Sequence, residues 1–386
     1  MEPVEYLYVY QTLDPWQLRY DYFGTIPAVS WLVESDAIIA LQVGTARCLV
    51  RTSDGTLYAA YSRTTVGREQ IYVKRSVDDG VTWIDETLIS TTAGMEDNYQ
   101  QKPALAVDSD DNLHVVWQGR VTGVYALFQI WYAKYDGSWS VPLRISTFTD
   151  MEDYDQKYPS IAVDSTDYLH VVWEGRASGY TTDAQIWYAK YDGSWSVPIR
   201  ISTVVANMSA NTQTYPTIAI DSLNNLHVLW SGCSTDYPEW NYQIWYSKYD
   251  GSWSVPLRIS TFTDMEDYSQ LYVSIAINSD DNLHVVWSGK ASGFIADEQI
   301  WYAKYDGIWS NPLRISTGAG QGSEIQTQPS IAVDSDDYLH VAWQDKRPGD
   351  NFQIWYRLYT DSWQLPESIH TGENAYPNIR WSRWPR

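Results

Sequence analysis

Short apolar runs separated by polar turns fill this chain, and no run has the length and 3.6-residue period of a core helix. Residues 103–147 show the pattern. Ala104-Leu-Ala-Val107 is short and apolar. Asp108-Ser-Asp-Asp-Asn112 follows as a turn, because Asp, Ser and Asn side chains bond nearby backbone amides. Leu113-His-Val-Val-Trp117 and Gln129-Ile-Trp-Tyr-Ala-Lys-Tyr135 are rich in β-branched and aromatic residues, and Asp136-Gly137 turns the chain into a last strand from Trp139 to Ser146. The pattern therefore predicts four short strands.

The same pattern recurs along the chain. Its second-strand Trp falls at Trp117, Trp173, Trp230, Trp287 and Trp343, at spacings of 56 or 57, and Tyr61 lies another 56 residues upstream. A fixed period of this size means repeated units that bury their faces on one another. Four strands per aromatic-rich unit is the signature of a β-propeller blade. Complete units span 46–91, 103–147, 159–203, 216–261, 273–317 and 329–372. The leftover ends predict a seventh, composite blade from 5–42 and 376–384. Tyr376-Pro-Asn-Ile379 resembles the opening of other units, and Tyr6–Gln11 and Gln17–Tyr20 resemble their second and third strands. The expectation is an all-β, seven-bladed β-propeller of four-stranded antiparallel blades, one domain over 1–386. Six blades plus an N-terminal hairpin is the alternative.

Composition narrows the function. A net charge of −22 argues against a nucleic-acid-binding surface, which needs a basic stripe. No apolar run approaches a membrane span, so no membrane insertion is expected. Met1-Glu-Pro-Val-Glu lacks the basic start and apolar stretch of a secretory signal. The expected location is extracellular, or the surface of a virion or cell. Cys48 and Cys233 sit in distant blades and are expected as unpaired thiols.

If the first strand of each blade is innermost, the Asp-rich and Asp-Gly turns share one face, and the longer, variable loops share the other. Function is expected on that loop face. A Gln precedes the inner strand at Gln100, Gln156, Gln213, Gln270 and Gln326, and another opens the third strand, as at Gln70, Gln129 and Gln185. Amides offer donors and an acceptor, so such a ring either binds a polyhydroxylated ligand or ties blades together through loop backbone. Cations recur where the second strand ends, at Arg63, Arg120, Arg176, Lys290 and Lys346-Arg347. They form either a collar for carboxylated or sulfated sugars or pairs with acidic connectors such as Met151-Glu-Asp153. Most Trp residues fill repeat positions, but Trp240 lies in a variable loop with Tyr237 and Tyr242, a set suited to stacking on a sugar or on a neighbouring loop. The repeated His114, His170, His227, His284 and His340 lie spread around the ring and read as structural. No cofactor is expected. The Asp108–Asn112 turn resembles the start of a Ca²⁺ loop but lacks its Gly and distal Glu.

One stretch carries a family resemblance. Ser76-Val-Asp78-Asp-Gly80-Val-Thr82-Trp83 matches the Asp-box, Ser-x-Asp-x-Gly-x-Thr-Trp, and later blades keep a shortened form such as Tyr135-Asp-Gly-Ser-Trp139. Upstream, Arg47 through Gly55-Thr-Leu57 to Arg63 looks like the opening blade of sialidases. The resemblance implies a structural Asp-box turn on the face away from the active site, with Arg47 and Arg63 as carboxylate-binding arginines. It would also put an acid/base Asp soon after Arg63, where this sequence offers only Glu69. Arg47 is followed by Cys48-Leu49 where the family has Ile-Pro, and no counterpart of the family's Tyr/Glu nucleophile pair is present.

Residues 135–154 and 249–268 are identical over twenty positions, a duplicated blade pair. Repeated loops suggest repeated sites and avidity. The reading is a monomeric, non-catalytic, lectin-like propeller whose loop face recognises a glycan or polysaccharide, acidic sugars among the candidates. The alternatives are a sialidase-like glycoside hydrolase using Arg47, Arg63 and Glu69, and a protein-binding scaffold.

Overall fold

The computed structural model describes residues 7–13, 16–22, 30–34, 39–40, 47–65, 67–123, 125–202, 208, 211–235, 241–317, 325–346 and 352–376; side chains are described from residue 47 to residue 367, with gaps. The chain is a β-propeller whose described strands form six antiparallel sheets. Blade 2 typifies them, with Gln100–Val107 innermost, then Leu113–Val121, Tyr125–Tyr135 and the two-residue edge Leu143–Arg144. Pro142, Pro198, Pro256 and Pro312 precede these edge strands. Proline cannot donate to a ladder, so the rim strands stay short and resist edge-to-edge pairing.

The predicted seventh blade is corrected. Glu367–Tyr376 is the fourth strand of blade 6 and runs ten residues where blades 2 to 5 have two. Its long free edge is capped by the N-terminal strand Leu7–Leu13, through Gln11 opposite Tyr376, and then by Trp16–Tyr22 and Ser30–Glu34. The N-terminal meander has the predicted strands, but it extends blade 6 instead of building its own blade. Residues 377–384, expected as an inner strand, lie outside the described residues.

Every described repeat Trp of the second strand is fully buried against the preceding blade. A fully buried large apolar side chain contributes about 2–3 kcal/mol, so these five carry much of the inter-blade stability. Cys48 and Cys233 are buried and unbridged.

The repeated histidines are structural. His114 Nδ1 lies 2.9 Å from Tyr132 Oη and Nε2 lies 3.0 Å from Asp108 Oδ2. The arrangement recurs at His170, His227 and His340. In blade 5 Asn278 replaces the Asp, so buried His284 Nε2 has no hydrogen-bond partner. Burial, with Lys304 nearby, pushes His284 down to about 4. Asn278→Asp restores the acceptor and is expected to stabilise the protein by about 1 kcal/mol near pH 7, checked by urea unfolding. An unchanged or lower midpoint would refute it.

Candidate functional site

The structure redistributes the expected site residues. Gln100, Gln156, Gln213, Gln270 and Gln326 are 0 % exposed. Each accepts a hydrogen bond from the Trp Nε1 of its own blade. Each amide nitrogen donates inward, as Gln156 does to Arg176 O at 2.7 Å. The third-strand Gln70, Gln129, Gln185 and Gln243 donate to the connector that enters the next blade: Gln129 reaches Met151 O at 3.1 Å, the carbonyl that Gln156 contacts at 3.3 Å. The amides therefore clamp blades together, and their burial removes them from any ligand surface.

The cationic positions do not form one collar. Arg63 pairs with Glu86 at 2.6 Å and lies 4.3 Å over the Tyr72 ring. It occupies the position that is Gly119 in blade 2, one residue before Arg120, as the register shows (Arg63 opposite Gln70, Gly119 opposite Gln129). Arg120 stacks 4.0 Å over Phe128 and lies 3.9 Å from Asp155, while Lys290 donates to Ala296 O at 3.0 Å. Arg176 is exposed. Arg347, Tyr237 and Trp240 lie outside the described residues. The Arg47 carbonyl accepts from Leu105 N at 2.7 Å, and Glu69 is buried and accepts from Gln101 Nε2. The Ser76–Trp83 turn is held by its own side chains: Gly80 N donates to Ser76 Oγ at 2.7 Å, and Thr82 N and Oγ1 donate to Asp78 at 2.8 and 2.6 Å. It joins the third and fourth strands of blade 1, and Trp83 is buried. The Asp108 carboxylate of the Ca²⁺-like turn is engaged by Asn112 N, Asn112 Nδ2 and His114. No group of three or more metal-ligating side chains occurs among the described residues.

A different set converges at the axis. The residue before the inner-strand Pro or Val takes a left-handed backbone in five blades: Lys102 (φ 55), Tyr158 (φ 53), Tyr215 (φ 52), Tyr272 (φ 57) and Gln328 (φ 54). Bulky side chains rarely adopt this region, and persistent strain of this kind clusters at functional sites. The ladder register shifts here, as between Lys157 and Ser160. The inner strands are the innermost layer of the sheets and pack side by side, so these bulges bring side chains together from blade to blade. Tyr158 and Tyr215 have ring centroids 4.6 Å apart, Tyr215 and Tyr272 5.1 Å, and Lys102 Nζ sits 4.2 Å over Tyr158. All four side chains are half-buried. They form an arc of aromatic faces at the loop-face end of the inner strands.

Glu174 lies behind this arc. At two interfaces the second-strand residue after the repeat Trp caps the strained amide of the next blade: Gln118 Oε1 accepts from Tyr158 N at 3.0 Å, and Glu174 Oε2 from Tyr215 N at 3.2 Å. Glu174 also accepts from Thr214 Oγ1 and is paired in register with Lys157. Burial raises its carboxyl to about 7, against the lowering effect of Thr214, Tyr215 N, Lys157 and Lys102. Tyr242, expected from the sequence, lies close enough for Glu174 to help raise its phenol, behind burial and Cys233. The arc was readable in one respect: the residue before the inner-strand Pro or Val changes type in an otherwise constant repeat and is Tyr three times. The strain that aims it at the axis leaves no mark in the sequence.

No protein-family model matches the chain, and no curated protein matches it. Solved structures share its fold. An ulvan lyase aligns at TM-score 0.62 and 9% identity, over 90% of this chain and 88% of its own. An α-L-arabinanase from Penicillium chrysogenum, complexed with arabinobiose, aligns at 0.53 and 12% identity over 82% and 94%. A Hadza microbial sialidase aligns at 0.50 and 12% over 85% and 71%. No helix of the described residues is long and apolar enough to cross a membrane.

Proposed function

We propose that this propeller recognises glycans at the axial tyrosine arc and does not cleave them. The observation that carries the reading is the run of Lys102, Tyr158, Tyr215 and Tyr272 in touch across four consecutive blades. Aromatic faces with a polar edge suit the apolar face of a pyranose and its hydroxyls. Lys102, a cation within the arc in a chain of net charge −22, favours an acidic sugar, whereas Lys157 is paired with Asp155 at 2.8 Å. Propellers of this fold that bind or act on polysaccharides support the substrate class by analogy. The buried glutamine ring turns the expected set of repeated sites into one composite site. In this reading the protein acts as a monomer, needs no cofactor, and works outside the cell or on a virion or cell surface.

The second reading is catalysis at the same place, and Glu174 favours it. A carboxyl near 7 is about half protonated at neutral pH, the state suited to general acid/base work on a glycosidic bond. The sialidase-like route through Arg63 has less support, because its guanidinium is already paired with Glu86.

A glycan array probed with purified protein, run beside uronate-containing polysaccharides and fluorogenic glycosides assayed for turnover, tests both readings. Binding to acidic glycans without turnover is expected. Turnover would replace the non-catalytic reading with the second one, and absence of all binding would overturn both.

A further inference from the structure

Among the five described interfaces that lead from blade 1 to blade 6, the repeat is broken at one, and the break leaves a hole. In four interfaces the Trp of the third-to-fourth-strand turn packs edge-on against a Tyr of the preceding blade: Trp195 on Tyr132, Trp253 on Tyr188, Trp309 on Tyr246 and Trp363 on Tyr302, with centroids 5.1–5.2 Å apart. Trp139 of blade 2 should meet the same residue of blade 1. There the register places Val73, opposite Ala60 as Tyr132 is opposite Val116. Replacing a phenol by an isopropyl group leaves the space unfilled. A cavity of about 290 Å³ lies here, between Tyr58, Val73, Arg75, Asp85, Tyr135 and Trp139.

The lining is that of a binding site as well as a packing fault. Trp139 and Tyr135 present two rings 5.3 Å apart, inclined at 48°. Arg75 donates to Asp85 Oδ2 from Nε at 2.7 Å and lies 2.6 Å from it through Nη2, so the polar wall is an ion pair of no net charge. Lys74 also borders the cavity, but Ala59 is its register partner on the blade face opposite to Val73, and its ammonium interacts with Glu86 and Arg63. The volume lies at the low end of the roughly 300–1,000 Å³ range of small-molecule sites. An apolar ring surface next to a fixed donor–acceptor pair matches a pyranose, whose axial C–H face stacks while vicinal hydroxyls meet the guanidinium and carboxylate. The neutral wall distinguishes it from the lysine-edged axial arc.

We infer that the interface between blades 1 and 2 holds a second sugar site, specific for a single neutral pyranose residue and separate from the axial site. It lies near the turn-face ends of the strands, so a long polysaccharide gripped at the axis is not needed to fill it. Val73→Tyr is the deciding variant, because it restores the Tyr–Trp contact that the other interfaces already use.

Saturation-transfer NMR with methyl glucopyranoside, galactopyranoside and rhamnopyranoside, each at tens of millimolar, reads the site directly. At least one should bind the wild type and the axial variant Tyr215→Ala alike, with Val73→Tyr weakening it about tenfold or more. Failure of all three to bind the wild type would overturn the inference, as would unchanged affinity in Val73→Tyr. Loss in Tyr215→Ala with no loss in Val73→Tyr would move the binding to the axis and also overturn it. Should Val73→Tyr fail to fold, Trp139→Phe keeps the test, since it removes the indole face and is expected to give a similar loss.

Discussion

Gly175→Ala is expected to destabilise the propeller by about 3 kcal/mol, although it adds one methyl group to a strand. Gly175 is the register partner of Gln156, so their side chains share one sheet face. A Cβ at Gly175 would lie 1.9 Å from Gln156 Oε1 and 2.5 Å from its Cδ. The amide cannot swing aside cheaply. Its oxygen accepts from Trp173 Nε1 at 3.0 Å, and its nitrogen holds Arg176 O and the Met151 and Tyr154 carbonyls of the connector. Overpacking of a dense core costs about 1–3 kcal/mol, and each buried hydrogen bond left unmade adds about 1 kcal/mol or more. The same close approach occurs at Gly119, Gly232 and Gly289, so the result should be general. Urea unfolding of Gly175→Ala, Gln156→Ala and the double variant would measure it. The double should cost clearly less than the sum, because removing the amide removes the clash. A Gly175→Ala cost below about 1 kcal/mol would show that the clamp is soft.

Blade 6 shows the alternative to that glycine. There Asp345 takes the equivalent position, and Gln326 donates to its carboxylate at 2.8 Å instead of lying against bare backbone. Repetition left such roles open: glutamines at one repeat position suit a ligand ring or a clamp, and the structure gives four of them the same internal partners, the Trp Nε1 of their blade and a carbonyl at the end of the second strand. The histidines were legible, because repetition around a ring spreads them too far apart to share one site. What failed was where the repeat fades. The N-terminal strands Leu7–Leu13 and Trp16–Tyr22 resemble a blade's middle strands, but the free edge of Glu367–Tyr376 that captures them follows from that strand's length, which blade arithmetic does not reveal. The axial arc was missed for a different reason. Tyr158, Tyr215 and Tyr272 read as ordinary strand aromatics until the backbone is seen to flip there. The sequence records residue type at each position, whereas the left-handed backbone that turns these rings to the axis recurs alike before Pro159, Pro216 and Val273, so no single neighbouring residue announces it.

Tyr215→Ala is expected to weaken acidic-glycan binding about thirtyfold or more, because Tyr215 is the middle ring of the arc and touches both neighbours; central aromatic contacts of this kind carry about 2 kcal/mol or more. Glu174→Gln separates recognition from packing. Its carboxyl rises from an ordinary 4.5 to about 7, chiefly through burial. A carboxyl raised on folding binds its proton more tightly in the folded state, so this stability is fully present below pH 4.5 and is lost as pH rises through 7. Glu174 keeps some solvent exposure, which discounts the effect to about 2 kcal/mol. Glu174→Gln should therefore leave stability near pH 4.5 almost unchanged and raise it above pH 7. Binding should follow the same titration. A negative Glu174 behind Tyr215 repels a carboxylated or sulfated sugar, so wild-type affinity should fall as pH climbs from about 6 to 8, while Glu174→Gln should stay flat. Isothermal titration across that range, with unfolding measured in parallel, reads both effects. A wild-type affinity that does not change with pH, or a Glu174→Gln variant that keeps the wild-type slope, would place the glycan away from the arc.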